Sequence, residues 1–397
     1  MDIFEEPYYR IIKNFSRVLG QWPYQSPRTK FTITSFVWIA IIVQLVPQII
    51  AIVVHFDDRE LLFEAFSAMA IDFACIVKYL NAIYRMDLMK ELWDCIRRDR
   101  KLLLNDAEKR TLQYQTNLGY FFSTGYAGFA YMTVVIFVTE PILPIFINML
   151  KDTNETIPLR LALPLEYIII DIEKHYWLIL CISNLLVVNI TTVIIQCDTT
   201  FITFVQHVCG LFAVVGYRLE NTPIDQNDSE GHKGDYSLSN SKDVPYKHLV
   251  SCIRSHRRAL EFAELIEEAY YVSFGLSIGA NLPALSVNGY QIITQSHTVQ
   301  QLLKYASFTI IELLHLFFLC FMSQQLTDMS LEMHESIADV SWYDISVKSQ
   351  KLLILMTLRS QVPCKLTAAK IMDLSIENFA TMLKTCASYL TMLLSMQ

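Results

Sequence analysis

The sequence predicts an all-α, polytopic membrane protein with seven transmembrane helices, and three observations carry that expectation. Hydrophobic residues fill 53% of the 397 positions and charged residues only 18%, with a mean hydropathy of +0.33. That balance leaves too little polar surface for two or three soluble domains. Charge-poor runs recur at lengths suited to ~30 Å of hydrocarbon crossed at ~1.5 Å per residue. Basic residues gather on alternate connections between those runs.

Residues 1–30 carry Asp2, Glu5, Glu6, Arg10, Lys13, Arg17, Arg28 and Lys30 without an apolar run. They read as a cytosolic segment with no cleaved signal peptide, so the first span must insert by itself. Phe31 to His55 lacks acidic and basic residues apart from the terminal histidine and forms span one. Span two runs from about Leu61 to Tyr84 and contains Asp72 and Lys78. These two lie ~120° apart around a helix, too far to pair, so each faces the bundle interior or the headgroups. Arg85 to Arg110 reads as a basic linker, and span three covers Tyr120 to Ile147, with Glu140, Pro141 and Pro144 near its outer end.

The polar stretch Lys151 to Glu173 contains Asn154-Glu155-Thr156, a glycosylation acceptor that functions only on the lumenal side. Matching triplets at Asn14, Asn189 and Asn227 make the motif weak alone, so its weight comes from agreement with the topology. From Tyr176 to Arg218 there is no proline and one charge, Asp198. A helix of that length extends about 65 Å, roughly twice the hydrocarbon thickness, so span four continues into the cytosol. Residues 222–245, rich in Asp, Asn, Ser and Gly, read as a flexible cytosolic loop. The charged, helical stretch Tyr246 to Glu268 then enters the charge-free run Ala269 to Leu303, again a helix half outside the membrane.

Span six, Leu302 to Leu326, carries Glu312 and His315 on one face, a spacing suited to hydrogen bonds between helices. Residues 327–370 are polar and amphipathic, with Pro363 interrupting a leucine-rich helix. Residues 371–397 form the last span, with Ser375 as N-cap and Glu377 in the first turn. At ~100° per residue, Glu377, Thr381, Lys384, Thr385, Ser388, Thr391, Met392 and Ser395 share one sector of that helix. Such a stripe suits a water-filled passage, and equally suits close helix packing through small hydroxyl residues. Lys384 tips the balance toward function, because a charge at membrane depth faces a partner or water.

With the N-terminus in the cytosol, 25 of the 32 Lys and Arg fall on cytosolic segments. The outer loops hold only Arg59, Lys151, Arg160 and Lys174, and Lys78, Lys304 and Lys384 lie within spans. The positive-inside rule therefore places the C-terminus outside and Asn154 with it. This orientation argues against a G-protein-coupled receptor, the first alternative, whose seven spans begin outside. The second alternative, a small-solute transporter, lacks the internal repeat such carriers show.

None of the nine cysteines falls on an outer segment, so no disulfide framework is expected. Cys252 with His256, and His207 with Cys209, are single pairs without the second half of a zinc site. No metal or other cofactor is expected. Phosphate-binding loops, His-Glu-x-x-His and Gly-x-Ser-x-Gly are missing, which argues against an enzyme, and nothing supports nucleic-acid binding.

One ordered run in the C-terminal third comprises Ala338, Trp342-Tyr343, Leu358-Arg359-Ser360-Gln361, Pro363, Leu366-Thr367-Ala368, Lys370, Leu374-Ser375, Phe379 and Ser388-Tyr389-Leu390-Thr391. That run closely resembles the insect odorant receptor signature. Gln21-Trp22-Pro23-Tyr24 resembles the N-terminal segment of such receptors in ants, bees and wasps. The short cytosolic loop after span four departs from the shared co-receptor and is similar to an odour-tuned subunit.

The resemblance implies a tuning subunit of a heterotetrameric, odorant-gated, non-selective cation channel, partnered by a co-receptor in the plasma membrane of olfactory neurons. Long helices four and five, with residues 327–370, would form a cytosolic anchor, while residues 31–326 carry spans one to six. The last helix would line the pore through Glu377, Thr381, Lys384, Thr385 and Ser388. The family's outer gate falls on Met392 and Met396, one turn apart, where thioethers close the pore by dewetting. Its odorant pocket among spans two, three, four and six maps to Met69, Phe73, Tyr131, Val135, Ile182, Leu186, Tyr305 and Phe308. Such a lining would hold a volatile apolar molecule through buried area at roughly 25 cal/mol per Å².

Overall fold

The computed structural model describes residues 3–103, 105–151, 160–168, 170–223 and 244–396. The chain is all-helical apart from one two-stranded hairpin among these residues. The helices are α1 (Pro7–Val18), α2 (Pro27–Val54), α3 (Arg59–Tyr84), α4 (Met86–Lys101), α5 (Asp106–Thr139) and α6 (Leu143–Lys151). They continue as α7 (Tyr176–Glu220), α8 (Val244–Thr294), α9 (Val299–Ala338), α10 (Val347–Ser360) and α11 (Ile376–Ser395). Strands β1 (Thr367–Ala368) and β2 (Met372–Asp373) pair antiparallel between α10 and α11, with Thr367 opposite Asp373. The candidate glycosylation site Asn154 and most of the loop at 222–245 lie outside the described residues.

Helix starts follow from local chemistry. Ser26, Asp58, Asn105, Thr298, Ser346 and Ser375 each accept a hydrogen bond from a backbone N–H of the following turn. These bonds satisfy amides that the helix itself cannot. At Thr298 the Gln301 side chain reaches back to the cap and completes a capping box. Helix α5 ends at Thr139 because Pro141 has no N–H to continue the ladder, and α6 restarts beyond it.

The stretch expected as a basic linker is instead α4. Met89, Leu92, Trp93 and Ile96 are buried at i, i+3, i+4 and i+7, with Asp99 continuing the buried face beside His207 of α7 and the other charges outside it. Span three is also longer than its apolar part, since α5 begins at Asp106 and buries Leu112, Thr116 and Gly119 before the membrane run.

Helix α7 is the axis of the fold. From Ile195 to Phe212 nearly every residue is buried, whereas from Tyr176 to Ile190 only one face is. A helix buried all round is wrapped by protein, and one buried on a single face borders another medium. Around its inner half pack the aromatic rings of Phe4, Trp22 and Trp93 and the apolar faces of α8 and α9. Arg218 at its end makes two 2.8 Å hydrogen bonds to the Glu108 carboxylate of α5 and a 2.6 Å bond to Ser255 of α8. The hairpin docks on α8 where Gly275 removes a side chain. A Cβ there would stand 2.6 Å from that of Ala369, which adopts a left-handed φ of 53°.

Among the described residues four helices, α2, α5, α7 and α9, are long and apolar enough to cross a membrane by length and composition. Helices α3, α8 and α11 are more polar because each carries a row of functional groups, described next.

Candidate functional site

Between α2, α3, α5, α7 and α9 lies a cavity walled by Ala68, Ile71, Phe137, Ile190 and Phe308. The centres of water-sized spheres can occupy about 70 Å³ of it. One water needs only ~10–15 Å³ on that measure, so a larger guest fits. Its upper wall is Leu163, from the 160–168 segment, whose Ala162 and Leu165 are buried beside Ala68 and Phe308. Two bonds pin this segment: Glu166 N–H to the Pro47 carbonyl at 3.1 Å, and Tyr176 O–H to the Arg160 carbonyl at 2.9 Å.

Beneath the cavity a buried polar network joins five helices. The Tyr126 hydroxyl lines the cavity and donates to Asp198 Oδ2 at 2.6 Å, while Lys78 donates to Asp198 Oδ1. His315 Nε2 stands 4.0 Å from the same carboxylate, and its Nδ1 lies 2.9 Å from Asn281 Nδ2. One turn before His315, Glu312 accepts from Asn288 at 3.0 Å. The expectation that Glu312 and His315 bond between helices is met on α8. Lys78 pairs across to α7, and Asp72 takes a 3.2 Å hydrogen bond from Gln44 of α2 instead of a cation.

Helix α11 packs one face on the bundle. Met382 and Cys386 are buried, Ser286 Oγ donates to the Cys386 carbonyl at 3.2 Å, and Leu390 fits against Gly289. The opposite face is bare: Glu377, Thr381, Lys384 and Ser388 are exposed, Thr385 is half-buried, and Met392 and Met396 are 57% and 72% exposed. Thr381 and Thr385 donate to carbonyls one turn back, at 3.1 and 2.9 Å, which leaves their oxygens facing outward.

Of the eight pocket candidates, the cavity takes Phe308 alone, its ring tilted against that of Phe137 with centroids 4.9 Å apart. Tyr305 is buried nearby in α9. Met69 and Phe73 line a different, shallow groove between α3 and α8 with Pro283. Val135 and Ile182 are exposed on the outer surface, Leu186 is half-buried, and Tyr131 hydrogen-bonds Thr192 at 3.0 Å. On α3 and α5 the cavity positions include Ala68, Ile71 and Asp72, and Tyr126, Val134 and Phe137. The lining is thus rotated from the expected faces, and lipid is as apolar as a core, so hydropathy marks no inward side. The intramembrane polar groups Gln44, Asp72 and Thr191 were the available signal.

The 7tm odorant receptor family model matches residues 59–387, well over half of the chain. The chain belongs to the odorant receptor family. Receptor 82a of Drosophila melanogaster is 23% identical over 318 residues, 78% of each chain. Odorant receptor 67c of the same species is 21% identical over 199 residues, and Or2 of Anopheles gambiae 22% over 164. The match to 67c spans only 46% of that relative and the match to 67a only 36%. In fold, the receptor is similar to the insect olfactory receptor OR5 of Machilis hrabei in complex with eugenol. The TM-score is 0.76 at 14% identity over 98% of this chain and 97% of that one. The structure of OR5 alone gives 0.73. Family and fold are those of multi-pass odorant receptors rather than of enzymes.

Proposed function

We propose that this odorant receptor is the odour-tuned subunit of a ligand-gated, non-selective cation channel, assembled with a co-receptor as a heterotetramer. The observation that carries this reading is the bare stripe on α11. Charged and hydroxyl side chains run along the face turned away from the bundle, with Met392 and Met396 at its outer end, while Met382, Cys386 and Leu390 hold the other face in place. A lysine exposed at membrane depth requires water or a partner subunit, and a central pore supplies both. In this arrangement all seven expected spans cross, with the N-terminus cytosolic and the C-terminus and Asn154 outside. The receptor then resides in the plasma membrane of olfactory sensory neurons.

The cavity under Leu163 is the odorant pocket. Its walls suit a volatile, largely apolar molecule held mainly by buried area. Tyr126 connects the pocket to the Asp198 network, which reaches α8 through Asn281, and α8 carries the packed face of α11. Odorant binding favours the packing in which the outer end of α11 is drawn from the axis, widening the ring at Met392. Discrimination between the two packings is what shifts their populations. Glu377 attracts cations near the inner mouth.

Whole-cell current in cells expressing this chain alone, and together with an insect odorant co-receptor, tests the reading under a panel of volatiles with G-protein signalling blocked. Fast odorant-evoked cation current only on co-expression is the expected result. Responses that need G-protein signalling, without direct current, would sink it.

A further inference from the structure

The polar atoms of the cavity wall are nearly all acceptors. Tyr126 gives its proton to Asp198, Thr133 to the Phe129 carbonyl at 3.0 Å, and Ser307 to the Leu303 carbonyl at 2.6 Å. Gln44 Nε2 is engaged with Asp72 Oδ1. What remains is Gln44 Oε1 and Asp72 Oδ2, both buried and without a hydrogen-bond partner, on residues 4% and 2% exposed that line the cavity. Gln48, one turn along α2 and fully buried, approaches the same carboxyl but completes no bond with either amide atom. The three side chains therefore hold three open acceptor atoms, Gln44 Oε1, Gln48 Oε1 and Asp72 Oδ2, with two lone pairs each, against two open N–H groups of Gln48 and the second N–H of Gln44. Even if Gln48 turned its amide onto Asp72, acceptors would stay in surplus. Thr191, with no hydrogen bond among the described residues, is free to take either role.

An unmatched buried acceptor costs its full desolvation, so the wall gains most from a guest that brings a proton to it. We infer that the odorant of this receptor carries a hydrogen-bond-donating head, an O–H or N–H group, bound by Asp72 and Gln44, with an apolar tail toward Phe137 and Phe308. This inference rests on the assignment of the cavity as the odorant pocket. It sets a chemical class: apolar alcohols or amines, in preference to ethers, esters and hydrocarbons of the same shape. The carboxylate distinguishes within the class, since a charge-assisted bond to an ammonium is the stronger one.

The test is binding to the full-length chain in lipid nanodiscs, measured by titration calorimetry with heptan-1-ol, heptan-1-amine, hexyl methyl ether and octane. The alcohol or the amine should bind at least about tenfold more tightly than the ether of equal size, the scale of one well-made hydrogen bond in a buried site. Asp72→Leu should erase that preference, and Asp72→Asn, which keeps an acceptor but no charge, should erase any advantage of the amine over the alcohol. Elution profiles check the fold of each variant, and Gln44→Leu serves the same purpose if Asp72→Leu does not fold. An ether as tight as the alcohol, a preference that survives Asp72→Leu and Gln44→Leu, or no binding by any of the four overturns the inference, leaving ordered water as the partner of these acceptors. Parallel current recordings with the co-receptor separate the two readings. Donor-selective binding without current fails the channel and not the pocket chemistry; current with indifferent binding fails the pocket chemistry alone.

Discussion

His256 stands on α8 in the charged stretch outside the membrane run, 5% exposed, with its ring 5.9 Å from that of Phe212. Burial lowers its pKa from 6.5 to about 4, and the nearby Arg359 charge adds to the effect. The unfolded chain therefore binds this proton more readily than the folded one. Stability from the neutral ring is complete above pH 6.5 and is lost as pH falls toward 4. Thermal unfolding of the solubilised receptor should lose about 1–2 kcal/mol more between pH 7 and pH 5 in the native chain than in His256→Leu. An equal loss in both would assign the acid sensitivity elsewhere. Residues of this kind are legible in a sequence as polar exceptions, and Asp72, Lys78, Glu312 and His315 all reappear as bonded groups of the interior. Apolar residues are not: Val134 lines the cavity and Val135 faces outward, a distinction of one position that composition does not encode.

Elements were legible where an apolar run met a capping residue, as at Ser375, whereas span three, expected to reach Ile147, ends at Thr139 before Pro141. They were obscured where charge and amphipathicity coincide, and α4 is the example, because its four-residue apolar stripe lies among charged residues. The junction of α5, α7 and α8 depends on one buried ion pair, with Glu108 2% and Arg218 5% exposed. Removing one partner leaves an uncompensated charge, so Glu108→Ala should cost about 3–5 kcal/mol, read as a large drop in unfolding temperature. The double variant Glu108→Met, Arg218→Met should recover part of that loss, since a matched apolar pair leaves no orphan charge. On α11, Met392→Ala removes the bulk of the outer constriction while leaving the packed face of Met382 and Cys386 untouched. Basal current should rise, or odorant sensitivity should shift, in recordings with the co-receptor. Unchanged gating would take Met392 out of the gate.

At the scale of the whole molecule the distribution of Lys and Arg carries the proposed topology, because the membrane sorts charge by side and not by structure. The partner surface is less legible, since a stripe of hydroxyls fits both a pore and a helix contact until its neighbours are known. A single chain leaves that stripe uncovered, and a pore needs the same face from several subunits around one axis. Ser388 lies on the exposed face one turn before Met392, so in the proposed pore it sits on the inner side of a constriction closed at Met392. A Ser388→Cys variant, expressed with the co-receptor and treated from outside with a charged thiol reagent, should react faster during odorant application than at rest. Its modification should then reduce the current, because added bulk and charge would stand in the conduction path. Met396→Cys, one turn further out than Met392, should react at similar rates in both states if Met392 alone closes the pore. If Ser388→Cys reacts equally with and without odorant, or reacts without changing the current, α11 does not carry ions past that point and its polar face is a helix contact.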